Sequence, residues 1–510
     1  MDCLIENILY VLIFTLFLII YVYYKNAFRY WSDMGVPQLD PSFPFGDMYD
    51  TIFRKQNMGD KIKQIYDRMK GERYVGLYFF SRKAFLPLDP VLIKDILNKD
   101  FQHFYDRGIY YDEKNDPLSA HLFSIAGPKW KNLRAKLTPA YSPGKLKYMF
   151  DTIVQCGHTM SKKLNEIAEN EKEVEIKEIL ARYTTDVIGS CAFGLECHCM
   201  TDPNAEFRIM GKRAFTQSVG DLLKMIIIRS FPSLARLLRI GVFSENVTSF
   251  FNKVVRETIE YRENNNVTRP DFLQLLVQLR KNGRLEEEDE SKKQPPGTAL
   301  TMEEAAAQAF IFFLAGFETT STTISFALFE MAINQNIQDK ARQEVDKIFE
   351  RYQSVTYESV MEMTYLDTVI FETMRKYPPA PVFLRKCTKP YPIPETNIVI
   401  PEGLSVLIPC YGLHRDPEYF PDPERFDPDR FSEENKSKIW DCTYIPFGDG
   451  PRNCIGMRFA MIQAKIALSL TIRNFNFGLS KKTRLPLKME TKGIILTPIG
   501  GLWLDLKPRE

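Results

Sequence analysis

The chain has 510 residues, enough to bury a large core, and its 45% hydrophobic and 26% charged residues are typical of a globular protein. A formal net charge of +2 argues against a dedicated nucleic-acid-binding protein, which carries a strong basic excess. Nine cysteines are scattered without the density or regularity of a disulfide framework, which indicates a reducing compartment.

The first element is an apolar run from Ile8 to Tyr24, uncharged and just long enough to cross a bilayer as a helix. Acidic residues precede it and no small-residue cleavage site follows, unlike a cleaved signal peptide. Lys25 and Arg29 come directly afterwards, which by the positive-inside rule places the rest of the chain in the cytosol. We therefore expect a single-pass membrane anchor over residues 1–30.

A proline-rich connector, residues 31–45, follows the anchor, and we interpret residues 46–510 as one domain. Apolar residues recur at helical spacing over 151–193 and 205–223. Short β-branched runs predict a few strands, at 74–80, 398–400, 406–408 and 494–497. The predicted fold class is mainly α with small β-sheets.

A long helix is predicted downstream of a charged, proline-ended loop at 284–297. It opens with Thr301 and Glu304, a capping box in which each side chain can satisfy the backbone N–H of the other. The segment AAAQAFIFF that follows is apolar on all sides, so we expect this helix to run through the centre of the protein.

The middle of this helix is unusual for an apolar core. Gly316 weakens the helix where Glu318 and Thr319 introduce polar groups, and the Thr319 hydroxyl can bond the Ala315 carbonyl one turn back. One interpretation is a harmless kink, because glycine and threonine kinks are common. The other is a gap where oxygen and water bind, with Thr319 as hydrogen-bond donor and Glu318 supplying protons.

A single cysteine, Cys454, stands between the loop FGDGPRN and a segment with a helical pattern. This places it at a helix N-terminus, where backbone N–H groups, the helix dipole and Arg452 stabilise a thiolate. Gly456 leaves room for a flat group near the backbone. An isolated cysteine is more often a small core residue, but the full spacing F-x-x-G-x-R-x-C-x-G, which begins at Phe447, is far more specific.

Zinc fits this cysteine poorly, because neither a C-x-x-C partner nor clustered histidines accompany it. A thiolate alone suggests a metal whose other ligands come from a macrocycle, as in haem. With these residues the chain resembles the cytochrome P450 family of haem-thiolate monooxygenases. Further motifs of that family occur in its usual order: Trp130 and Arg134 in WKNLR, AGFET at 315–319, Glu372 and Arg375 in ETMR, and PERF at 423–426.

The resemblance covers almost everything after the anchor and implies the cytochrome P450 fold, preceded by one N-terminal transmembrane helix. It implies that Cys454 is the axial ligand of the haem iron and that cationic forks hold the haem propionates. It also implies Glu318 and Thr319 as the catalytic residues that deliver protons to O2, the co-substrate. The residues implied in cofactor binding are Cys454, Arg452, Trp130, Arg134, Arg385, Phe447 and Gly456.

Glu372 and Arg375 lie three residues apart, hence on one helical face. On its own such a pair is usually a solvated salt bridge worth under about 1 kcal/mol. The resemblance implies instead that Arg425 joins them in a buried triad that supports the cysteine loop, where removing one partner would cost about 3 to 5 kcal/mol.

Substrate contacts are carried over from the family by position, and their apolar and aromatic character implies a lipophilic small molecule. The residues concerned are Tyr110, Phe123, Phe215, Phe313, Val382 and Ile495. The segment 222–243 contains cations but no acids among its apolar residues. It is interpreted either as a contact with membrane lipid or as an ordinary core helix.

Electrons must come from another protein, because the chain has no Gly-rich dinucleotide fingerprint. We expect an NADPH-dependent flavoprotein reductase, with cytochrome b5 as a further partner implied by the resemblance. Between residues 117 and 150 there is no acid, and Lys129, Lys131 and Lys136 are predicted to dock an acidic partner. The alternative is a solvated lysine-rich face.

Three segments most resemble insect microsomal family members associated with plant toxins and insecticides: GVPQLDPSFPFG, DEKNDPLSAHLF and FDPDRFSEENK. The expected function is insertion of one oxygen atom of O2 into lipophilic substrates at the endoplasmic reticulum membrane, with the catalytic domain on the cytosolic side. Oxidation of an endogenous steroid, terpenoid or fatty acid is the alternative within this chemistry. A haem-thiolate isomerase or dehydratase and a haem sensor are alternatives of other classes.

Overall fold

The structure of the protein, a computed structural model, describes residues 2–215, 220, 224–225, 227–228, 231–283, 299–493 and 495–509. Helices predominate in this part of the chain, as predicted. The described α-helices, apart from short 3-10 and π helices, are α1 Asp2–Ala27, α2 Tyr30–Asp33, α3 Tyr49–Ile52, α4 Met58–Arg68, α5 Pro90–Lys94, α6 Gly127–Leu137, α7 Pro143–Asn170, α8 Ile176–Ile188, α9 Glu206–Phe215, α10 Pro232–Leu237, α11 Glu245–Asn265, α12 Phe272–Asn282, α13 Met302–Ile333, α14 Gln335–Tyr352, α15 Tyr357–Met361, α16 Thr364–Lys376, α17 Cys410–Leu413 and α18 Met457–Asn474.

The described strands form three small sheets. A four-stranded sheet has the order β1-β2-β7-β4, a three-stranded sheet the order β3-β9-β8, and β5 pairs with β6. All pairs are antiparallel except β2 with β7. The strands are β1 Tyr74–Phe79, β2 Arg82–Pro87, β3 Glu173–Glu175, β4 Phe383–Lys386, β5 Tyr391–Pro392, β6 Val399–Ile400, β7 Ser405–Ile408, β8 Phe475–Leu479 and β9 Trp503–Pro508.

Three of the four predicted strands are confirmed, as β1, β6 and β7. The fourth prediction, 494–497, is wrong for residues 495–497, and Ile494 lies outside the described residues. The C-terminal strand is β9 instead, because Leu504 and Leu506 alternate with polar residues and bury one face of a strand that pairs with β8. The predicted helical stretch 151–193 is divided between α7 and α8 by β3.

The chain forms two compact units. The first contains Met1–Gly108, Pro381–Tyr419 and Trp440–Arg452, and the second contains Ile109–Ala380, Phe420–Ile439 and Asn453–Glu510. The four-stranded and two-stranded sheets belong to the first unit, and the three-stranded sheet belongs to the second. The interpretation of residues 46–510 as one domain stays a prediction.

Within the first unit, Trp31 fixes the chain that leaves α1 onto strand β1. Its side chain is fully buried and its indole N–H donates to the Leu77 carbonyl at 3.2 Å. A side chain at Gly76 would collide with the indole ring, so glycine allows this close approach. Helix α1 itself is exposed along its apolar length, as expected of a membrane anchor, within a candidate span of Leu4–Asp33.

Within the second unit, α13 is the central helix. The predicted capping box is confirmed, because Thr301 accepts from the Glu304 backbone N–H and Glu304 accepts from the Thr301 backbone N–H. The helix is buried over most of its length, so it is a core helix although its apolar composition would allow a membrane span. Its helical hydrogen bonding continues without interruption through Gly316.

Candidate active site

Cys454 precedes helix α18 in the second unit, as predicted. It stands three positions before Met457, the first residue of the helix, and Gly456 is the N-cap. The cysteine is exposed, and a side chain built on Gly456 would meet no atom nearer than Tyr141 Cε1 at 3.9 Å. An accessible sulfur beside free space fits a flat, metal-containing group such as haem.

Arg134 of α6 holds the residue next to this cysteine. Its Nη1 donates to the Asn453 carbonyl at 3.0 Å and its Nη2 donates to Asn453 Oδ1 at 2.9 Å. Burial lowers the pKa of Arg134, and the neighbouring Cys454 opposes that change. Sequence reasoning gave Arg134 a propionate-binding role and did not predict its hydrogen bonds to Asn453. Trp130, one helical turn earlier, is 5% exposed.

The start of α18 lies beside the central helix. The Phe312 ring is 5.4 Å from Phe459 and 5.7 Å from Tyr141. One turn further along the central helix, Ala315 is exposed although most of the helix is buried. Thr319, a further turn along, is half-buried on the same face, and its hydroxyl donates to the Ala315 carbonyl at 2.6 Å, as predicted. The central helix therefore has an open polar face at the AGFET segment.

The glycine-rich loop before Cys454 lies in the first unit, where Phe447 is half-buried. Gly450 has a φ of +70°, and a side chain there would collide with the Leu97 carbonyl oxygen. Arg452 is 2% exposed and its Nε donates to the Tyr105 carbonyl at 2.6 Å. Glycine is therefore required at position 450 by backbone conformation and by space.

Arg385 of β4, also in the first unit, is 2% exposed. Its Nη1 donates to the Leu384 carbonyl at 3.0 Å, whereas its Nε has no hydrogen-bond partner among the described residues. Burial lowers the pKa of Arg385 to about 10, and Asp449 opposes that change. A buried guanidinium with an unused N–H fits an anionic ligand such as a carboxylate, because leaving that group unpaired is costly.

Glu372 and Arg375 form a fully buried ion pair, with two hydrogen bonds of 2.7 and 2.8 Å. Burial raises the pKa of Glu372, and Arg375 opposes the rise. The prediction that the Arg425 side chain completes this triad is wrong, because that side chain is 71% exposed and only its carbonyl accepts from Arg375. Arg430 takes this place, with its Nε 3.5 Å from Glu372 Oε1.

Glu318 has a partner that sequence reasoning missed. Its Oε1 accepts from Lys177 Nζ at 2.7 Å, and Lys177 also donates to Thr497 Oγ1 at 3.0 Å. The three residues are distant in sequence and carry no shared motif, so spacing along the chain offers no signal for this contact.

The six predicted pocket residues have different surroundings. Phe313 is fully buried among other phenylalanine rings, and, two residues from Ala315, it lies on the opposite side of the central helix. It therefore does not line the open face of that helix, and its contact with substrate stays a prediction. Phe215 contacts the same aromatic cluster through Phe317, with ring centroids 5.6 Å apart. Phe123 is 47% exposed.

Three other pocket residues are half-buried. Tyr110 lies under the Arg236 guanidinium, 5.4 Å from its ring centroid, and its buried hydroxyl has no hydrogen-bond partner in the described part of the chain. Val382 packs against the core of the first unit. Ile495 lies in the C-terminal segment of the second unit. Contact of these residues with substrate stays a prediction.

Only one of the three predicted docking lysines has the expected surroundings. Lys131 is exposed, and no ion-pair partner is found for it among the described residues. Lys129 is exposed but is paired with Glu113 and Glu304, at 2.9 and 3.1 Å, so acids outside the acid-free segment neutralise it. The prediction for Lys136 is wrong, because it is 8% exposed on the inner face of α6.

Comparison with known proteins agrees with this arrangement. The family model described as cytochrome P450 matches residues 41–504. The chain is 41% identical over 505 residues to probable cytochrome P450 6a13 of Drosophila melanogaster, covering 98% of this chain and 99% of that protein. It is 40% identical over 486 residues to cytochrome P450 6A1 of Musca domestica, covering 94% of each. The chain therefore belongs to the cytochrome P450 family and is a haem-dependent monooxygenase that uses O2.

Proposed function

We propose that this monooxygenase is microsomal and inserts one oxygen atom of O2 into lipophilic substrates, plant toxins or insecticides among them. When bound, haem supplies the redox-active iron at which O2 is reduced and its O–O bond is cleaved. The observation that carries the proposal is the exposed Cys454 beside the free space at Gly456. Cys454 would hold the cofactor through its sulfur.

The N–H groups of buried or half-buried arginine and tryptophan side chains are candidates for holding the propionate carboxylates of haem. In the first unit these are Arg385 and Arg452, and the unpaired Nε of Arg385 supports this role. In the second unit they are Trp130 and Arg134, although Arg134 also binds Asn453. Phe447 and Gly456 would complete the cofactor-binding loop.

Proton delivery is proposed for two residues of the open face. The Thr319 hydroxyl would hold a proton near the reacting oxygen through Oγ1, and Glu318 would supply protons from solvent. Both side chains are half-buried, which supports contact with water on one side and with the protein interior on the other. Their place beside the exposed Ala315 supports the same role.

The ferrous carbon monoxide spectrum tests the cysteine ligand. The wild-type protein should show the far-shifted Soret band of thiolate ligation, and Cys454→Ala should lose it together with substrate oxidation. Cys156→Ala, at a half-buried cysteine of α7, is the matched control and should keep both. A normal spectrum in Cys454→Ala would contradict the assignment of the ligand.

Substrate class is the second test. Product analysis with the reductase and a panel of lipophilic compounds should show oxygenated products whose formation consumes NADPH. Activity confined to endogenous steroids, terpenoids or fatty acids would contradict the proposed toxin or insecticide role. Turnover without NADPH would instead indicate an isomerase or dehydratase, and binding without turnover would indicate a sensor.

Location at the endoplasmic reticulum membrane, with the catalytic body on the cytosolic side, is supported by the exposed, apolar helix α1. Helix α10, from the segment 222–243, adds exposed apolar side chains: Leu234 is 43% exposed and Leu237 is 78% exposed. Parts of that segment lie outside the described residues. The full chain should resist carbonate extraction from microsomes, whereas a chain that lacks residues 1–30 should be released.

Electron delivery by an NADPH-dependent flavoprotein reductase, and by cytochrome b5, is proposed through the exposed Lys131. An acidic partner would be attracted to this cation, and the attraction would weaken as salt rises. Lys131→Glu should raise the KM for the reductase most strongly at low salt. Lys162→Glu, at an exposed lysine of α7, is the control. Equal effects of the two variants at every salt concentration would contradict docking at Lys131.

A further inference from the structure

Lys177 forms a largely buried ion pair with Glu318 of the AGFET segment. Its Nζ lies 2.7 Å from Glu318 Oε1, and the two side chains are 14% and 17% exposed. The same ammonium group donates to Thr497 Oγ1 at 3.0 Å. Among the described residues, no other cation lies within ion-pair distance of Glu318.

The position of Lys177 is not explained by the stability of its own helix. It lies in the first turn of α8, where the helix dipole disfavours a cation. That turn is firmly held: the Ile176 N–H donates to the Leu502 carbonyl at 2.9 Å, and Glu175 accepts from the Leu502 N–H at 2.9 Å. Glu175 also caps the Glu178 N–H at 2.7 Å. The lysine therefore extends from a backbone with little freedom.

Helix α8 also contacts the central helix at the residues just before Glu318. The absence of a side chain at Gly316 makes room for Ile188, whose Cδ1 would lie 2.5 Å from a Cβ there. The Thr184 hydroxyl donates to the Phe317 carbonyl at 2.9 Å. Three consecutive residues of the central helix, from 316 to 318, thus contact α8.

The two polar side chains of AGFET are both engaged elsewhere in this arrangement. The Thr319 hydroxyl donates to the Ala315 carbonyl at 2.6 Å, and the Glu318 carboxylate binds Lys177. In the described part of the chain, no hydrogen bond joins the Glu318 carboxylate to the Thr319 hydroxyl. Glu318 must therefore leave Lys177 before it can pass a proton towards Thr319.

We propose that Lys177 is a positioning residue that holds the Glu318 side chain against α8 between proton transfers. Through Thr497, Lys177 also links Glu318 to the C-terminal segment that carries Ile495. The inference rests on the proposed proton-delivery role of Glu318. Without the lysine, Glu318 is a largely buried carboxylate with no ion-pair partner among the described residues, a situation that favours a change of its rotamer.

When Lys177 no longer positions Glu318, electron delivery to O2 should lead less often to oxygen insertion into the substrate. O2 would then accept two electrons that originate from NADPH and two protons, and it would leave as hydrogen peroxide while the substrate remains unoxidised. The amount of peroxide formed per NADPH consumed therefore reports how well Glu318 is positioned.

The experiment uses the full-length holoenzyme with its reductase and a substrate that it oxidises. Lys177→Met should raise the peroxide formed per NADPH by about three- to tenfold, and Lys177→Arg should stay within about twofold of wild type. Lys162→Met, at an exposed lysine of α7, is the matched control and should not change it. If Lys177→Met does not retain haem, Lys177→Gln is used in its place.

Two further measurements distinguish positioning from a general structural role. In the Glu318→Gln background, Lys177→Met should change the peroxide share by less than about 1.5-fold, because the residue through which it acts is already altered. Hydrogen–deuterium exchange should become faster over residues 316–320 and 495–499 in Lys177→Met, and it should be unchanged there in Lys162→Met.

The outcomes separate the two proposals. A peroxide increase in Glu318→Gln together with wild-type coupling in Lys177→Met overturns the inference about Lys177 alone. Wild-type coupling in Glu318→Gln removes the proposed role of Glu318, and the inference about Lys177 with it. An equal effect of Lys177→Met in both backgrounds also overturns the inference, because the lysine would then act through another group.

Discussion

The guanidinium of Arg134 donates two hydrogen bonds to Asn453, one to its backbone carbonyl and one to its side-chain oxygen. This two-point contact holds the residue that directly precedes Cys454. Arg134→Lys should keep the charge but lose the planar fork, because an ammonium group cannot make both bonds in the same geometry. Loss of one hydrogen bond to a charged group should lower the free energy that stabilises the cysteine loop by about 1.5 to 3 kcal/mol.

The measurement for this change is the rate at which haem leaves the protein for a haem acceptor in excess. Arg134→Lys should release haem faster than wild type, and Asn453→Ala, which removes only the side-chain contact, should fall between the two. Equal rates in all three proteins would show that the contact with Asn453 does not hold the cysteine loop.

Alanine substitutions at Gly450 and Gly456 should have different effects on stability and on haem retention. A Cβ at Gly450 would collide with the Leu97 carbonyl oxygen, and its φ of +70° disfavours alanine. Gly450→Ala should therefore impair haem retention and also lower the free energy of unfolding of the haem-free protein. A Cβ at Gly456 meets only Tyr141 Cε1, at 3.9 Å, so Gly456→Ala should leave the haem-free protein unaffected and impair haem retention alone.

Urea unfolding of the haem-free chains, together with haem content after purification, distinguishes these two cases. Full haem content in Gly456→Ala would contradict the proposal that the cofactor occupies the space beside this residue.

Variants of Arg430 and Arg425 test which of the two arginines stabilises the buried Glu372. Arg430→Met should lower the free energy of unfolding by about 1 to 3 kcal/mol, because it removes a largely buried partner of the carboxylate. Arg425→Met should change it by less than about 0.5 kcal/mol, because that side chain is 71% exposed. Urea titrations of the two variants provide the comparison, and a larger loss in Arg425→Met would restore the triad predicted from the family motif.

Ionisation of the buried Asp47 carboxyl should make the free energy of unfolding depend on pH. Burial raises the pKa of Asp47 to about 6, although the Tyr78 N–H donates to its carboxylate at 2.7 Å. Because the folded pKa lies above the unfolded value of about 3.9, the native state favours the protonated form. Stability is therefore lost as pH rises from about 4 through about 6, by about 2 to 3 kcal/mol in total.

Asp47→Asn keeps an acceptor for the Tyr78 N–H and removes this ionisation. Its free energy of unfolding should exceed that of wild type at pH 7, and the difference should shrink towards pH 4. Asp40→Asn, at an exposed position of the connector, should leave the wild-type pH profile unchanged. Parallel profiles for Asp47→Asn and wild type would refute the assignment.

Short-range patterns in this chain were sufficient to predict several features correctly. The capping box of Thr301 and Glu304, the exposed apolar helix α1, and the position of Cys454 just before α18 all follow from the identities of neighbouring residues. The ion pair of Glu372 and Arg375 follows from helical spacing alone. Such features depend on a few consecutive residues whose propensities and spacing act locally.

Other features depend on how distant elements pack. Arg430 rather than Arg425 reaches Glu372 because the path of an irregular loop sets which side chain turns inward. Lys136 is buried because one face of α6 packs into the interior, which its neighbours in sequence do not reveal. Lys177 and Glu318 meet because helix α8 docks on the central helix. These contacts arise from the sum of many weak packing interactions over the whole chain, so no local pattern encodes them.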